Sequence, residues 1–330
     1  MTLSFWIWIA VGAVLLFFLI PTMVMSGVIY TVLLIRTKPE KWDRSCSMPE
    51  DEEYLGMFRE GLAWDETYRH CKQEVSVVSD GLKLMGEYFD FGAKRAVIIV
   101  PGRMESCLYS YYFAEPYRQA GCNVLVIDNR AHGLSEGKVS SLGFRECRDL
   151  IAWSRLLSER FGNGKVILHG ICIGSSASLF ALTDKNCPDC LCGMVADGMY
   201  TTFCESFKNH MIEDHHPLFP FVAEVMLYIR LISRANVVTD GPGRRIGQLK
   251  KPILMLHSRE DRFSLPQKAQ QLYDACTAEK RLEWFDVGAH SRVRVNDPER
   301  YDRVIREFLC SPALSEPSAE APAQPLMQNK

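Results

Sequence analysis

The sequence predicts an α/β fold: a doubly wound, mostly parallel sheet with an inserted helical cap, preceded by one N-terminal transmembrane helix. Three observations carry this reading. Residues 1–35 hold no Asp, Glu, Lys, Arg or His. From Glu74 onward, short β-branched apolar runs alternate with helical stretches. Such runs suit strands covered on both faces, as in a parallel sheet. A largely helical insertion of about 50 residues, Thr201 to Lys251, then breaks the alternation.

Phe5 to Ile35 is an uncharged stretch that would run roughly 46 Å as a helix, at ~1.5 Å per residue. A hydrocarbon core of ~30 Å is crossed once by such a helix, with tilt. Pro21 is placed to kink it. A cleaved signal peptide fits worse, because a basic start and a small-residue cleavage site are missing and the apolar run is too long. Arg36, Lys38, Lys41 and Arg44 follow the stretch, and no Lys or Arg precedes it. The positive-inside rule then predicts a single-pass membrane protein with its main domain in the cytoplasm.

Residues 36–73 read as a charged, mostly helical juxtamembrane stalk. Val75–Val78 and Leu82–Phe89 read as a hairpin. Ala96–Val100, Val124–Asp128, Lys165–His169, Gly193–Asp197 and Ile253–His257 read as buried strands, joined by helices such as Phe144–Phe161 and Leu265–Ala275. The main domain therefore spans residues 74–310. The tail, 311–330, is rich in Pro, Ala, Ser and Glu and reads as disordered.

Composition narrows the function classes. A net charge of −2 argues against a dedicated nucleic-acid binder. Twelve cysteines scattered along 330 residues do not form a dense disulfide framework and suit a reducing compartment. Cys187, Cys190 and Cys192 lack the second ligand pair of a structural zinc site, and His215–His216 reads as a solvated cap loop, so no metal is expected.

The chemistry-bearing segment is Lys165–His169 followed by Gly170-Ile171-Cys172-Ile173-Gly174 and a helical run. Strand, G-x-nucleophile-x-G, helix is the context of a nucleophile elbow. Gly170 and Gly174 are the structural elbow, where side chains would clash. Cys172 occupies the apex, at a helix N-terminus, a position that favours a thiolate. A packed core thiol is the plain alternative. Ser175 and Ser176 lie off the apex.

These residues resemble the α/β-hydrolase superfamily, in particular its capped branch of esterases, monoacylglycerol-lipase-like enzymes and serine-aminopeptidase-like proteins. The similarity runs over about residues 74–310. Pro101-Gly102-Arg103-Met104-Glu105-Ser106 resembles the family's His-Gly-x-x-x-Ser loop, with Pro in place of His. The resemblance implies an oxyanion hole from a backbone N–H of Arg103 or Met104 and from that of Ile173. Asp128 to Ser135 resembles the family's Asp-x-Arg-Gly-His-Gly-x-Ser loop, in which His132 would be structural. Asp261, with Glu260 as its local competitor, resembles the triad acid, and His290 in Gly288-Ala289-His290 the base. The order Cys172, Asp261, His290 is the family's nucleophile, acid, base.

The departure is Cys for the nucleophilic Ser. The expected function is a membrane-anchored hydrolase cleaving an ester, lactone or thioester bond through a Cys-His-Asp triad and a thioacyl-enzyme, without cofactor. The apolar cap and the anchor point to a small-molecule or lipid-like acyl substrate. An acyltransferase on the same scaffold, or a non-catalytic binding protein with a degraded nucleophile, are the alternatives.

Overall fold

The computed structural model describes residues 3–312 and 314. One eight-stranded sheet organises them: β1 (Lys72–Ser79), β2 (Leu82–Phe89), β3 (Arg95–Val100), β4 (Cys122–Ile127), β5 (Lys165–Ile171), β6 (Leu191–Asp197), β7 (Ile253–Ser258) and β8 (Lys280–Phe285). Their spatial order is β1-β2-β4-β3-β5-β6-β7-β8. The β1–β2 and β2–β4 pairs are antiparallel, and every pair from β4 to β8 is parallel. This is the α/β-hydrolase arrangement: an opening hairpin on a doubly wound sheet. β3, β4 and β7 are buried throughout or nearly so. That is why their sequences are continuous apolar runs rather than alternating ones.

The helices are α1 (Leu3–Leu34), α2 (Glu52–Tyr68), α3 (Cys107–Ser110), α4 (Glu115–Gln119), α5 (Glu146–Phe161), α6 (Ile173–Leu182), α7 (Phe203–Glu213), α8 (Phe221–Tyr228), α9 (Pro242–Arg245), α10 (Pro266–Ala275), α11 (Val293–Asn296) and α12 (Pro298–Leu309). Two apolar clusters fill the space between helices and sheet, one on each face. A third joins α1, the cap helices α7 and α8, and the start of α6.

Helix α1 is long and apolar enough to cross a membrane. Its C-terminal third, however, is docked on the cap. Thr22 Oγ1 and Ser26 Oγ each donate to the Glu224 carboxylate of α8 at 2.8 Å. The Tyr228 hydroxyl donates to the Met23 carbonyl, and the Tyr30 hydroxyl bonds Ser233. Lys41 Nζ folds back onto the carbonyls of Thr31, Val32 and Ile35, closing the helix end whose acceptors lack intrahelical donors.

The segment read as a stalk packs on the domain. Trp42 stacks on His132 with ring centroids 4.6 Å apart. Arg44 bridges Glu87 and Asp128, and α2 lies against the Tyr111–Phe113 turn. The tail read as disordered lies outside the described residues, apart from Ser311, Pro312 and Leu314. Leu314 is buried against Gly193.

Candidate active site

The elbow follows from packing that admits no side chain. A Cβ on Gly170 would stand 2.3 Å from the Ser175 nitrogen, and one on Gly174 2.2 Å from the Val100 carbonyl oxygen. The two glycines let β5 turn directly into α6 against the end of β3. Cys172, at the apex, is held at φ +52° and ψ −111°. For a residue with a Cβ this is costly backbone, of the kind that persists where the surroundings enforce it. Here the Cys172 N–H donates to the Asp197 carbonyl at 2.9 Å. Ser175 Oγ donates to the Gly170 carbonyl at 2.6 Å and is fully buried, as is Ser176. Neither serine faces the cavity that Cys172 lines.

Asp261 follows β7 and is buried, whereas Glu260 beside it is exposed. One Asp261 carboxylate oxygen accepts the N–H groups of Phe263 and Ser264 at 2.9 and 2.7 Å. The other accepts His290 Nδ1–H at 2.7 Å. Burial pushes the Asp261 carboxyl up, but the His290 imidazole and these donors outweigh it and hold it below the usual carboxylate value. Burial pulls His290 down, and the charges of Asp261 and Cys172 overcome that and raise it well above the ordinary histidine value, which stabilises the imidazolium formed when Nε2 takes a proton. Its Nε2 is buried and faces Cys172. The structure thus brings Cys172 and His290 to one cavity, with His290 hydrogen-bonded to Asp261 behind it.

The loop after β3 separates the two expected oxyanion donors. The Met104 N–H donates to His132 Nε2 at 3.3 Å. The Arg103 N–H has no hydrogen bond among the described residues. Ile173 is the first residue of α6, so its N–H has no intrahelical acceptor. The free pair is therefore Arg103 and Ile173. Met104 serves the loop instead. His132 is structural: burial lowers it to about 4, so the neutral ring donates from Nδ1 to the Arg130 carbonyl and accepts at Nε2.

Two groups at the site are absent from the motif reading. Glu105 lines the same cavity and accepts the Gly102 N–H at 2.7 Å and the Tyr54 hydroxyl at 3.0 Å. Burial raises its carboxyl to about 7 against these donors. A carboxyl raised from 4.5 contributes stability that is complete below pH 4.5 and is lost as pH rises through about 7. Glu105→Gln should therefore lose less stability than wild type between pH 5 and pH 8. Melting temperatures of both proteins at the two pH values check this; equal losses would contradict it. The second group is α1 itself. Met25, Ile29 and Leu33 line the cavity with Cys172 and His290. The sequence signal for its docking was Glu224, a lone carboxylate inside the apolar cap run.

The cavity holds about 800 Å³, within the ~300–1,000 Å³ of ordinary ligand sites. Beyond polar groups such as Cys172, His290, Arg103 and Glu105 its walls are mainly apolar, with Phe203, Phe207, Met211 and Phe221 from the cap. Among the described residues no group of three His, Cys, Asp or Glu side chains is placed to hold a metal ion. Cys190 and Cys192 instead point their thiols at the Ser154 and Val166 carbonyls.

Comparison with known proteins agrees with this fold. The family described as "Serine aminopeptidase, S33" matches residues 92–200, which include the oxyanion loop and the elbow. The uncharacterized protein YqkD of Bacillus subtilis is 25% identical over 309 residues, covering 91% of this chain and 96% of that one. A Pyrococcus furiosus esterase superimposes with a TM-score of 0.64 at 23% identity, covering 74% of this chain and 92% of its own. An esterase of Exiguobacterium antarcticum gives 0.55 at 14% identity, covering 72% and 99%. Its sheet order, its elbow and these likenesses give the chain the α/β-hydrolase fold.

Proposed function

We propose that this protein is a membrane-anchored hydrolase that cleaves an ester-type bond of a lipid-like acyl substrate, with Cys172 as nucleophile, His290 as base and Asp261 as the acid that orients it. The observation that carries this reading is the placement of His290 between the Asp261 carboxylate and a cysteine held at φ +52° on an elbow. That arrangement lies in an apolar cavity beside two unengaged N–H groups. The esterases that share the fold support the same reaction class.

The reaction follows from these positions. His290 Nε2 takes the proton of the Cys172 thiol, and the sulfur attacks the carbonyl carbon. The carbonyl electron pair moves onto oxygen, where the N–H groups of Arg103 and Ile173 hold it; each such donor is typically worth ~3 kcal/mol. Collapse of this intermediate breaks the carbon–oxygen bond of the ester. The leaving alkoxide takes the proton from His290. Water then enters, gives a proton to His290 and attacks the thioester. The sulfur leaves and recovers that proton. Asp261 holds the tautomer that puts the acceptor nitrogen toward sulfur and stabilises the imidazolium.

The anchor reading divides α1. Leu3 to Pro21 precedes the docked region and would run about 28 Å, at ~1.5 Å per residue, enough for a hydrocarbon core of ~30 Å. The basic residues after it place the domain on the cytoplasmic side.

The test is hydrolysis of p-nitrophenyl esters, acetate to palmitate, by the full chain in detergent micelles, beside Cys172→Ala and His290→Ala. Both variants should fall to the rate of the buffer alone. Equal turnover by wild type and Cys172→Ala would overturn the reading. A truncation before residue 45 is unsuitable, because it would remove Tyr30, Leu34 and Trp42 from their buried contacts and Arg44 from Asp128.

A further inference from the structure

Two adjacent rows of α1 residues do different work. Thr22, Ser26 and Tyr30 recur every four residues and hold the helix to the cap through Glu224 and Ser233. Met25, Ile29 and Leu33 also recur every four residues, one position round the helix, and line the cavity that contains Cys172 and His290. Residues four apart share a helix face, so each row is a continuous strip. Exposure falls along the second strip: Met25 is 52% exposed, while Ile29 and Leu33 are half-buried. The strip spans about 12 Å, at ~1.5 Å per residue, from its exposed end at Met25 to its half-buried end at Leu33. The mouth side of α1 continues into Val24, Val28 and Val32, which are exposed, and the neighbouring cap exposes Leu227 and Leu231.

We propose that α1 is a wall of the acyl-binding channel, and that Ile29 and Leu33 set which acyl chains reach Cys172. The occupant is the hydrocarbon chain of a single-chain amphiphile that enters at Met25, where the apolar surface of α1 meets the cavity mouth. The anchoring helix is thus part of the substrate site as well as a tether. Its docking is fixed by polar groups: the Glu224 carboxylate holds two hydroxyls of an otherwise apolar helix. A helix that only tethered the domain would have no use for this pairing.

This proposal rests on Cys172 being the reactive nucleophile, and its test separates the two claims. Full-length protein in phosphatidylcholine vesicles is treated with iodoacetamide or with N-tetradecyl bromoacetamide, and alkylation of Cys172 is followed by peptide mass spectrometry. In both reagents the sulfur displaces halide, iodide from one and bromide from the other, and that difference cancels when the ratio of the two rates is compared between wild type and variant. Ile29→Trp, which narrows the channel, should slow the long-chain reagent relative to iodoacetamide by about tenfold, the loss expected when roughly two methylene groups are excluded. Val78→Trp, exposed on β1 and outside the cavity lining, should leave the ratio unchanged. Ile29→Ala, which widens the channel, keeps the test decisive if the tryptophan unseats the helix. It should shift the ratio the other way for a longer, hexadecyl reagent. Unchanged ratios in both Ile29 variants would overturn the proposal while leaving the nucleophile reading intact. A wild-type Cys172 that iodoacetamide alkylates no faster than the exposed Cys310 would remove the nucleophile reading, and this proposal with it.

Discussion

Asp261→Asn is expected to leave the fold in place and to lower kcat by about 10³ to 10⁴, the loss seen when the orienting carboxylate of such a triad becomes an amide. The physical reason is the direction of one hydrogen bond. His290 Nδ1 donates to Asp261 at 2.7 Å, which leaves Nε2 as acceptor toward Cys172. An amide can offer its own N–H to Nδ1, which moves the ring proton to Nε2 and removes the base. The variant also deletes the carboxylate charge that helps hold the imidazolium. Steady-state hydrolysis of a p-nitrophenyl ester, with circular dichroism to verify folding, measures the effect. A loss below tenfold would mean that Asp261 does not orient the base.

Gly174→Ala should be strongly destabilising. The added carbon would stand 2.2 Å from the Val100 carbonyl oxygen and 3.1 Å from that of Pro101. Both are backbone atoms of β3 and its exit, and no side-chain rotation relieves the clash. Overpacking of this kind costs about 1–3 kcal/mol where neighbours can move, and more against backbone. A loss of at least about 3 kcal/mol lowers the melting temperature by roughly 6–12 °C in a domain of this size. Gly164→Ala, whose added carbon meets nothing within 4 Å, is the control and should change little. Thermal unfolding of the two variants decides the matter. Equal melting temperatures would mean that the elbow is looser than its contacts require.

Much of this was legible in the residues because burial leaves a simple trace. Ala96–Val100 and Ile253–Leu256 are apolar without interruption, and strands β3 and β7 contain them and extend one or two residues beyond. The elbow was legible because two close backbone approaches demand glycine at fixed spacing, and the strand before them fixes the context. The docking of α1 was not. Three hydroxyls, Thr22, Ser26 and Tyr30, are a faint periodic signal in a helix that is otherwise mainly apolar, and they mark the docked face only once Glu224 and Ser233 are seen opposite them. The basic cluster after it was informative about charge but silent about its use. Lys41 closes the C-terminal end of α1, Arg36 donates to the Gly133 carbonyl and Arg44 pairs with Asp128. The choice between Arg103 and Met104 as oxyanion donor turned on which peptide N–H His132 engages, and that is set by a loop residue 28 positions away. The burial of Glu105 likewise depends on Tyr54, brought in by a helix that the sequence placed outside the domain.

The central claim is that Cys172 carries the acyl group. The direct measurement is mass spectrometry of the full chain, quenched in acid during turnover of a p-nitrophenyl ester and then digested. The account predicts one acyl adduct, on the peptide containing Cys172, that disappears on treatment with hydroxylamine and is absent from Cys172→Ala. An adduct on Ser175 or Ser176, or hydrolysis that continues in Cys172→Ala, would contradict it.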